Sequence, residues 1–445
     1  MAEPMQDHPA PWRVALDFGT AWSKAAIAPA RNAQAGVRPL RLDDATDWDN
    51  PLLLASAVFI SKTHVHLGRS ALTAALEAPD REALRSFKSI LAAPDLDKVL
   101  EIAPKRTIDP EGVFTFRDLI TLYLGYAWVN LENGLATDSE RPPLDQCSLA
   151  FTLPRWPSAG GAAGLVHQLI VAGMHVGKTL GKAMCAPGGI EISLAKSALA
   201  SAARPGPPPL RVEGCILEAT AAALCHLDGK ARFVCVLDMG AGTTDLAGLA
   251  IGKDGSISEI PTARSTLTKA GDVLDSVVLG AIVKASGARG TQAQSAVWRA
   301  AAGQIRRHKE TILSQKKAAL RIGQNVIAVP QAQVWKAPDA KAFLEEIERA
   351  FRASLEACAQ AAAAAGEKSV TVVAAGGGAR LEPIADLLAK PKTKTRNISI
   401  LTTPATPSWA NSARFAGQLA PVFPQLTVAM GAALAPPSLV MPLQG

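Results

Sequence analysis

One stretch limits what this chain can fold into: Phe233 to Ile251, FVCVLDMGAGTTDLAGLAI. An apolar, β-favouring run from Phe233 to Leu237 ends in Asp238 and turns through Gly240, Ala241, Gly242 and the hydroxyls of Thr243 and Thr244. It then reaches Asp245 and resumes as apolar chain. Such runs separated by glycines read as strand, hairpin, strand. A second copy of the pattern lies in Val14 to Ile27, VALDFGTAWSKAAI, with Asp17, Gly19 and Thr20 in the same order after an apolar run. Glycine lets the backbone turn with successive N–H groups pointing inward, a nest suited to a phosphate. Asp17 is suited to magnesium through water, since that ion keeps much of its hydration. Lys24 lies within reach of the same anion if the second strand folds back. Two acidic glycine hairpins in one chain predict two lobes gripping one polyphosphate.

The chain is long enough to bury large cores: 445 residues hold two or more domains, and 48% hydrophobic with 19% charged is an ordinary globular balance. Its net charge of +7 is spread along the sequence, so no nucleic-acid partner is indicated. The six cysteines have no CxxC or histidine pairing, which reads as reduced core cysteines in a cytosolic protein. The opening MAEPMQDHPAPW has no apolar core flanked by positive charge, and no stretch approaches the roughly 18 apolar residues of a membrane span. The expectation is a soluble, cytoplasmic protein with no membrane partner.

Taken in order, residues 1–11 read as a flexible tail. Pro51 to Leu67 suggests two short strands, and Ala71 to Leu91 has apolar positions at helical spacing, with Lys88 on it in FKSIL. Arg117 to Leu131 reads as a helix, Asn133 to Gln146 as a polar loop, and Cys147 to Leu153 as a strand ending at Pro154. Gly164 to Leu180 and Gly188 to Ala203 read as helices, and a stiff connection, ARPGPPP, ends at Pro209. Leu210 to Leu217 is strand-like. Glu218 then opens a helix through Ala223, where a carboxylate serves either as a cap favoured by the helix dipole or as a functional acid. Ile257 to Leu267 reads as a strand, Lys269 to Val283 as a helix, Ala296 to Leu320 as a basic helix, and Arg321 to Val334 as strand. Phe343 to Ala365 is a long alanine-rich helix. Ser369 to Ala375 is a buried-type strand running into Gly376, Gly377, Gly378, Ala379 and Arg380, ahead of a helix from Ile384 to Leu388. That places backbone amides at a helix N-terminus, where an anion or nucleotide approaches closely. Lys390 to Ser412 is loop-rich, and Val428 to Leu434 is the last ordered element.

Ala172 to Thr179, AGMHVGKT, imitates a phosphate-binding P-loop. Such a loop is a glycine-rich turn between strand and helix, whereas Met174, His175 and Val176 fill this one.

In order, the series DxGT, lysine on a helix, strand ending in proline, ExTAAA, DxGxGTxD, GGGxR and GAA resembles the actin-like ATPase superfamily. Within it, the chain looks most like the nucleotide-binding domain of the Hsp70 chaperones, over residues 12–434. The resemblance implies an α/β fold of two lobes, each a mixed sheet flanked by helices, with nucleotide in the cleft. Lobe I is expected at 12–230 plus 428–445 with 40–115 as its outer subdomain. Lobe II is expected at 231–427 with about 270–340 as its outer part.

The resemblance also implies roles: Asp17 and Asp238 as acids around hydrated Mg²⁺, Asp245 positioning the attacking water, Lys88 as the catalytic lysine and Glu218 as the metal-water carboxylate. Gly19, Thr20 and Ala21 with Lys24 meet the phosphates on one side, and Gly240, Ala241, Gly242 and Thr243 on the other, as phosphoryl transfer requires positioning and charge neutralisation. Gly376, Gly377, Gly378 and Arg380 form the adenosine floor, and Lys309 and Ser314 contact the purine. The implied function is a slow Mg-dependent ATPase, turning ATP into ADP and phosphate, that acts as a nucleotide-driven switch or chaperone-like binder of an unidentified protein partner. A filament-forming ATPase and a small-molecule kinase are the alternatives within the superfamily.

The sequence also departs from that pattern. Ala21 stands where a second threonine is usual, and Gly378-Ala379 where a polar pair is usual. An expected arginine is missing around Ala162, in GGAAG, and Lys24 matches a phosphate-binding lysine of actin rather than of Hsp70. An insertion precedes Glu218. No β-sandwich peptide-binding domain is expected after the GAAL stretch. Nucleotide binding is thereby better supported than fast hydrolysis.

Overall fold

The computed structural model describes residues 10–441 apart from 31–35, 44–49, 79, 92, 94, 141, 154–158, 205, 228–229, 405, 412–418 and 420–421. Most of the expected tail and the strand-ending Pro154 lie outside the described residues. The rest is α/β, with mixed sheets and flanking helices. Two compact units emerge: residues 1–70, 87–225 and 426–445, and residues 71–86 with 226–425.

In the first unit the strands are β1 (Trp12–Asp17), β2 (Trp22–Pro29), β3 (Arg38–Pro39), β4 (Leu54–Ala55), β5 (Val58–Ile60), β6 (His64–Leu67), β7 (Cys147–Leu153), β8 (Ile190–Glu191) and β9 (Arg211–Leu217). The main sheet runs β3-β2-β1-β7-β9, with β4 also pairing β2, and β5-β6-β8 form a small second sheet. β1 is antiparallel to β2 but parallel to β7, which is parallel to β9.

The second unit holds β10 (Phe233–Met239), β11 (Thr244–Ile251), β12 (Ile257–Leu267), the two-stranded ribbon β13 (Lys317–Ile322) and β14 (Asn325–Pro330), then β15 (Ser369–Ala375) and β16 (Ser399–Thr402). Its sheet runs β12-β11-β10-β15-β16, with antiparallel pairing on one side of β10 and parallel pairing on the other. Both units therefore build one strand order. β7 and β10 are buried along their whole length, which is why each reads as a largely apolar run.

Small residues mark where helices touch. A side chain at Gly431, in the Phe423–Leu434 helix, would overlap the carbonyl oxygen of Ala221 in the Glu218–His226 helix. The alanines of ExTAAA and the glycine of GAA thus belong to one helix crossing. The P-loop imitation is another such contact. Gly173 and Gly177 lie within the Ala159–Leu180 helix, and a Cβ on Gly177 would come 2.7 Å from the Gly125 carbonyl oxygen of the Phe116–Thr137 helix.

Several expected elements differ. The helix expected over Ala71 to Leu91 is two helices, Gly68–Glu77 and Phe87–Leu91. Residues 71–86, expected in the outer part of lobe I, group with the second unit, where Leu76 covers the bare Cα of Gly303. The helix begun at a Thr115–Asp118 capping box runs on to Thr137, into the expected loop. The single basic helix over Ala296 to Leu320 is instead Thr291–Ala302 and Ile305–Ser314, broken at Gly303, followed by β13. Ala318, Leu320 and Ile322 are buried alternately there, a period of two that only a strand satisfies. The strand expected over Arg321 to Val334 ends at Pro330, and Gln331–Trp335 is helical. Among the described residues no helix is long and apolar enough to cross a membrane.

Two predictions follow from this packing. Gly431→Val should cost at least about 2 kcal/mol by overpacking the helix crossing, read as a lowered denaturant midpoint. His226 is buried against the edge of Phe423, 5.8 Å between ring centroids, and burial pushes its imidazole down from 6.5 to about 4. The folded state favours the neutral ring, so this stabilisation is whole above pH 6.5 and declines by up to about 1.4 kcal/mol per unit as pH falls towards 4. His226→Leu should flatten that part of the stability–pH curve.

Candidate functional site

In open α/β sheets, ligands gather at the carboxyl ends of the strands. In the first unit those ends bring Asp17 of β1, Thr152 of β7 and Glu218, the residue after β9, to one edge. Asp17 is 3% exposed, and Lys24, directly opposite it in the hairpin, places its Nζ 2.6 Å from Oδ2. The Thr152 hydroxyl donates to Oδ1 at 3.1 Å. Burial alone would push the Asp17 carboxyl up, but the ammonium groups of Lys24 and Lys88 and the hydrogen bonds from Lys24 and Thr152 hold it below its ordinary value. Lys88, on the short Phe87–Leu91 helix, places its Nζ 2.5 Å from Glu218 Oε1. Glu218 faces a lysine ammonium rather than acting only as a cap.

The hairpin itself is held from behind. Ser56 Oγ donates to the Gly19 carbonyl at 2.8 Å, and the Ser56 N–H to the Ala21 carbonyl at 3.0 Å. Ser56 is fixed in turn by Ser23 and the buried Tyr123 hydroxyl, whose pKa burial pushes up to about 12. With those carbonyls turned back, the N–H groups of Gly19, Thr20 and Ala21 meet no acceptor among the described residues.

The second unit repeats the arrangement. The Gly240 carbonyl accepts from Gly271 N–H at 3.3 Å and the Ala241 carbonyl from Asp272 N–H at 2.7 Å. The amides of Ala241, Gly242 and Thr243 meet no acceptor among the described residues. Asp238 and Asp245 are directly opposite in the ladder. Asp245 accepts the hydroxyls of Thr243 at 2.9 Å and Thr266 at 2.8 Å. Asp238 is 8% exposed, and a Cβ on Gly376 would fall 2.6 Å from its Oδ1.

Because β15 lies beside β10, the Gly376–Gly378 turn lands next to this hairpin. Gly376 has φ +77° and its N–H donates to the Pro424 carbonyl at 2.7 Å, while the bare Cα of Gly378 leaves room for Met239. Arg380 follows on the exposed side of the turn. Lys309 is drawn to the hairpin: its Nζ donates to the Gly271 carbonyl at 2.7 Å and lies 2.6 Å from Asp275 Oδ1. Ser314, at the other end of that helix, donates to the Thr311 carbonyl.

Sequence reasoning missed Ser56, Thr152, Gly271, Asp272, Asp275, Arg306 and Arg85. The last four form a charged group with Lys309. Burial pushes the Asp272 carboxyl up, against the pull of Arg306, and burial together with Arg306 pushes Arg85 down. The only signal was AGDVLD (Ala270 to Asp275), whose glycine and acids follow β12 closely enough to lie against the preceding hairpin.

Magnesium was expected, through water, at Asp17 and Asp238, and at the first of these both oxygens already have partners, one of them an ammonium. Both Asp245 oxygens hold hydroxyls. Among the described residues no three histidine, cysteine or acidic side chains gather. No protein-family model matches the sequence, and no curated protein matches it.

Removing one partner of a buried pair costs more than removing both. Lys88→Met should lower stability by about 3 kcal/mol, and Lys88→Met with Glu218→Gln should recover most of it, measured by chemical denaturation.

Proposed function

We propose that this chain is an ATP-binding protein of the actin-like fold, using the acidic glycine hairpin of each unit as a phosphate cradle. One observation carries the reading. In both hairpins the carbonyls are tied back, by Ser56 in one and by Gly271 and Asp272 in the other, which leaves three successive amides for an anion. The strand order common to both units and the Gly376–Arg380 turn beside the second hairpin support a nucleotide as the anion. Since Asp17 and Asp245 already hold partners, the arrangement favours holding nucleotide over turning it over. The bound nucleotide then acts as a switch that a protein partner reads.

Titration calorimetry on the full chain tests this. ATP and ADP should bind in the micromolar range, with AMP weaker by more than about tenfold because it lacks the phosphates the cradles take. Arg380→Ala should weaken all three nucleotides by a similar factor; absence of ATP binding under every condition would sink the proposal. Lys24, actin-like in position and seated at its hairpin, favours a filament-former as second reading, and sedimentation with ATP separates the two.

A further inference from the structure

We propose that the second unit carries a docking edge for an acidic, extended peptide segment of a partner protein. The outer side of β16 pairs with the backbone of that segment, and Lys392, Lys394 and Arg396 take its carboxylates. This stands on the second unit alone and is independent of the nucleotide-binding reading above.

The turn before β16 is strongly basic. Lys390 to Leu401, KPKTKTRNISIL, places a cation at every second position from Lys390 to Arg396 and holds no acid. All four cations are exposed, while Thr393 and Thr395 between them are half-buried. Among the described residues none of the four forms an ion pair.

That alternation is anchored from below. Glu356, on the Pro338–Ala364 helix, accepts the hydroxyls of Thr393 at 2.7 Å and Thr395 at 2.8 Å and the N–H of Lys394 at 2.7 Å. Burial would push its carboxyl up, but these hydrogen bonds, with one from Gln360, bring it down to about 2. The anchor therefore stays ionised at neutral pH. Its oxygens hold hydroxyls and an amide rather than the ammonium groups, so the cations keep their charge for a ligand. With the threonines tied inward, the turn is ordered before anything binds, which lowers the entropy cost of docking.

β16 is the last strand of the order β12-β11-β10-β15-β16. It runs parallel to β15, and the N–H groups of Ser399 and Thr403 donate to the carbonyls of Lys368 and Val372. Because successive residues of a strand face opposite sides of the ladder, Ile400 and Thr402 turn their N–H and C=O groups outward. No strand pairs with that side among the described residues. Leu401, between them, is 53% exposed. An unpaired edge of this kind is a template for one more strand.

Together the two features select the occupant. A second copy of this chain would bring the same cations to the edge and be repelled. Nucleic acid would neutralise the cations but has no strand backbone to offer, and Glu382 to Thr403 includes no aromatic side chain on which bases stack. A peptide strand flanked by carboxylates satisfies both the edge and the charge.

The experiment is fluorescence anisotropy on the full chain, with a fluorescein-labelled peptide that has a Val-Thr-Val-Thr centre and a run of glutamates at each end. The natural protein should bind it with a dissociation constant on the order of tens of micromolar, and should not bind the same peptide with lysines in place of the glutamates. Lys392→Glu with Lys394→Glu should weaken binding at least about tenfold. Thr402→Pro removes an outward N–H and leaves the β15 ladder intact, and should weaken binding at least about fivefold. Thermal unfolding establishes that each variant folds. If Thr402→Pro does not, the acidic peptide N-methylated through its centre replaces it, and the natural protein should bind that peptide at least about fivefold more weakly. No binding of the acidic peptide overturns the inference, and so does unchanged binding by the double charge reversal. Unchanged binding by Thr402→Pro, or of the N-methylated peptide, reduces the contact to charge attraction and overturns the docked strand. Tighter binding of oligothymidylate than of the acidic peptide overturns it in favour of nucleic acid.

Discussion

A carboxylate buried at the carboxyl end of a central strand has to be compensated where it stands, and much of this protein is arranged around that requirement. Leaving water costs an uncompensated carboxylate several kcal/mol, so something charged or hydrogen-bonding must replace the lost solvent. In the first unit a lysine directly across the hairpin does so, with a threonine hydroxyl from the neighbouring parallel strand. This also fixes the hairpin's register, because a slip of one residue would carry Lys24 to the opposite face. In the second unit the bare Cα of Gly376 lets the buried Asp238 lie against backbone, and the half-buried Asp245 opposite it takes the hydroxyls of Thr243 and Thr266.

Glycine plays three distinct parts that a motif scan would merge. Gly19 is required because a side chain there would overlap the Trp22 carbonyl inside a tight turn. Gly376 is required by a left-handed backbone pressed against Met239. Gly173, Gly177 and Gly431 are required by helices in backbone contact. Only the first two adjoin a candidate ligand, and the third class produced the imitation of a P-loop.

The strands of both sheets were largely legible in the sequence, because β7, β10 and β15 are short, almost fully buried, parallel-paired runs with little polar interruption. The hairpin acids and glycines were legible for the same reason, since each directly follows such a run. Residues 291–322 were misread because alanine and basic residues continue smoothly across Gly303, and only tertiary packing exposes the alternation in β13. Ser56, Thr152 and Gly271 were invisible because their roles depend on partners 37, 135 and 31 positions away in sequence, Gly19, Asp17 and Gly240. The repeated strand order was equally hidden: beyond the hairpins the two units have no sequence pattern in common, so repetition exists only in how the strands pair.

The bridge between Cys215 and Met441, together with the Gly431 contact on Ala221, has a consequence for how the molecule comes into being. The first unit is assembled from three separated stretches, the last beginning at Leu426, whereas every residue of the second unit precedes that point. On a ribosome the second unit has all its parts while β9 and the Glu218–His226 helix still lack their final neighbours. The portion of chain made first is therefore the portion finished last.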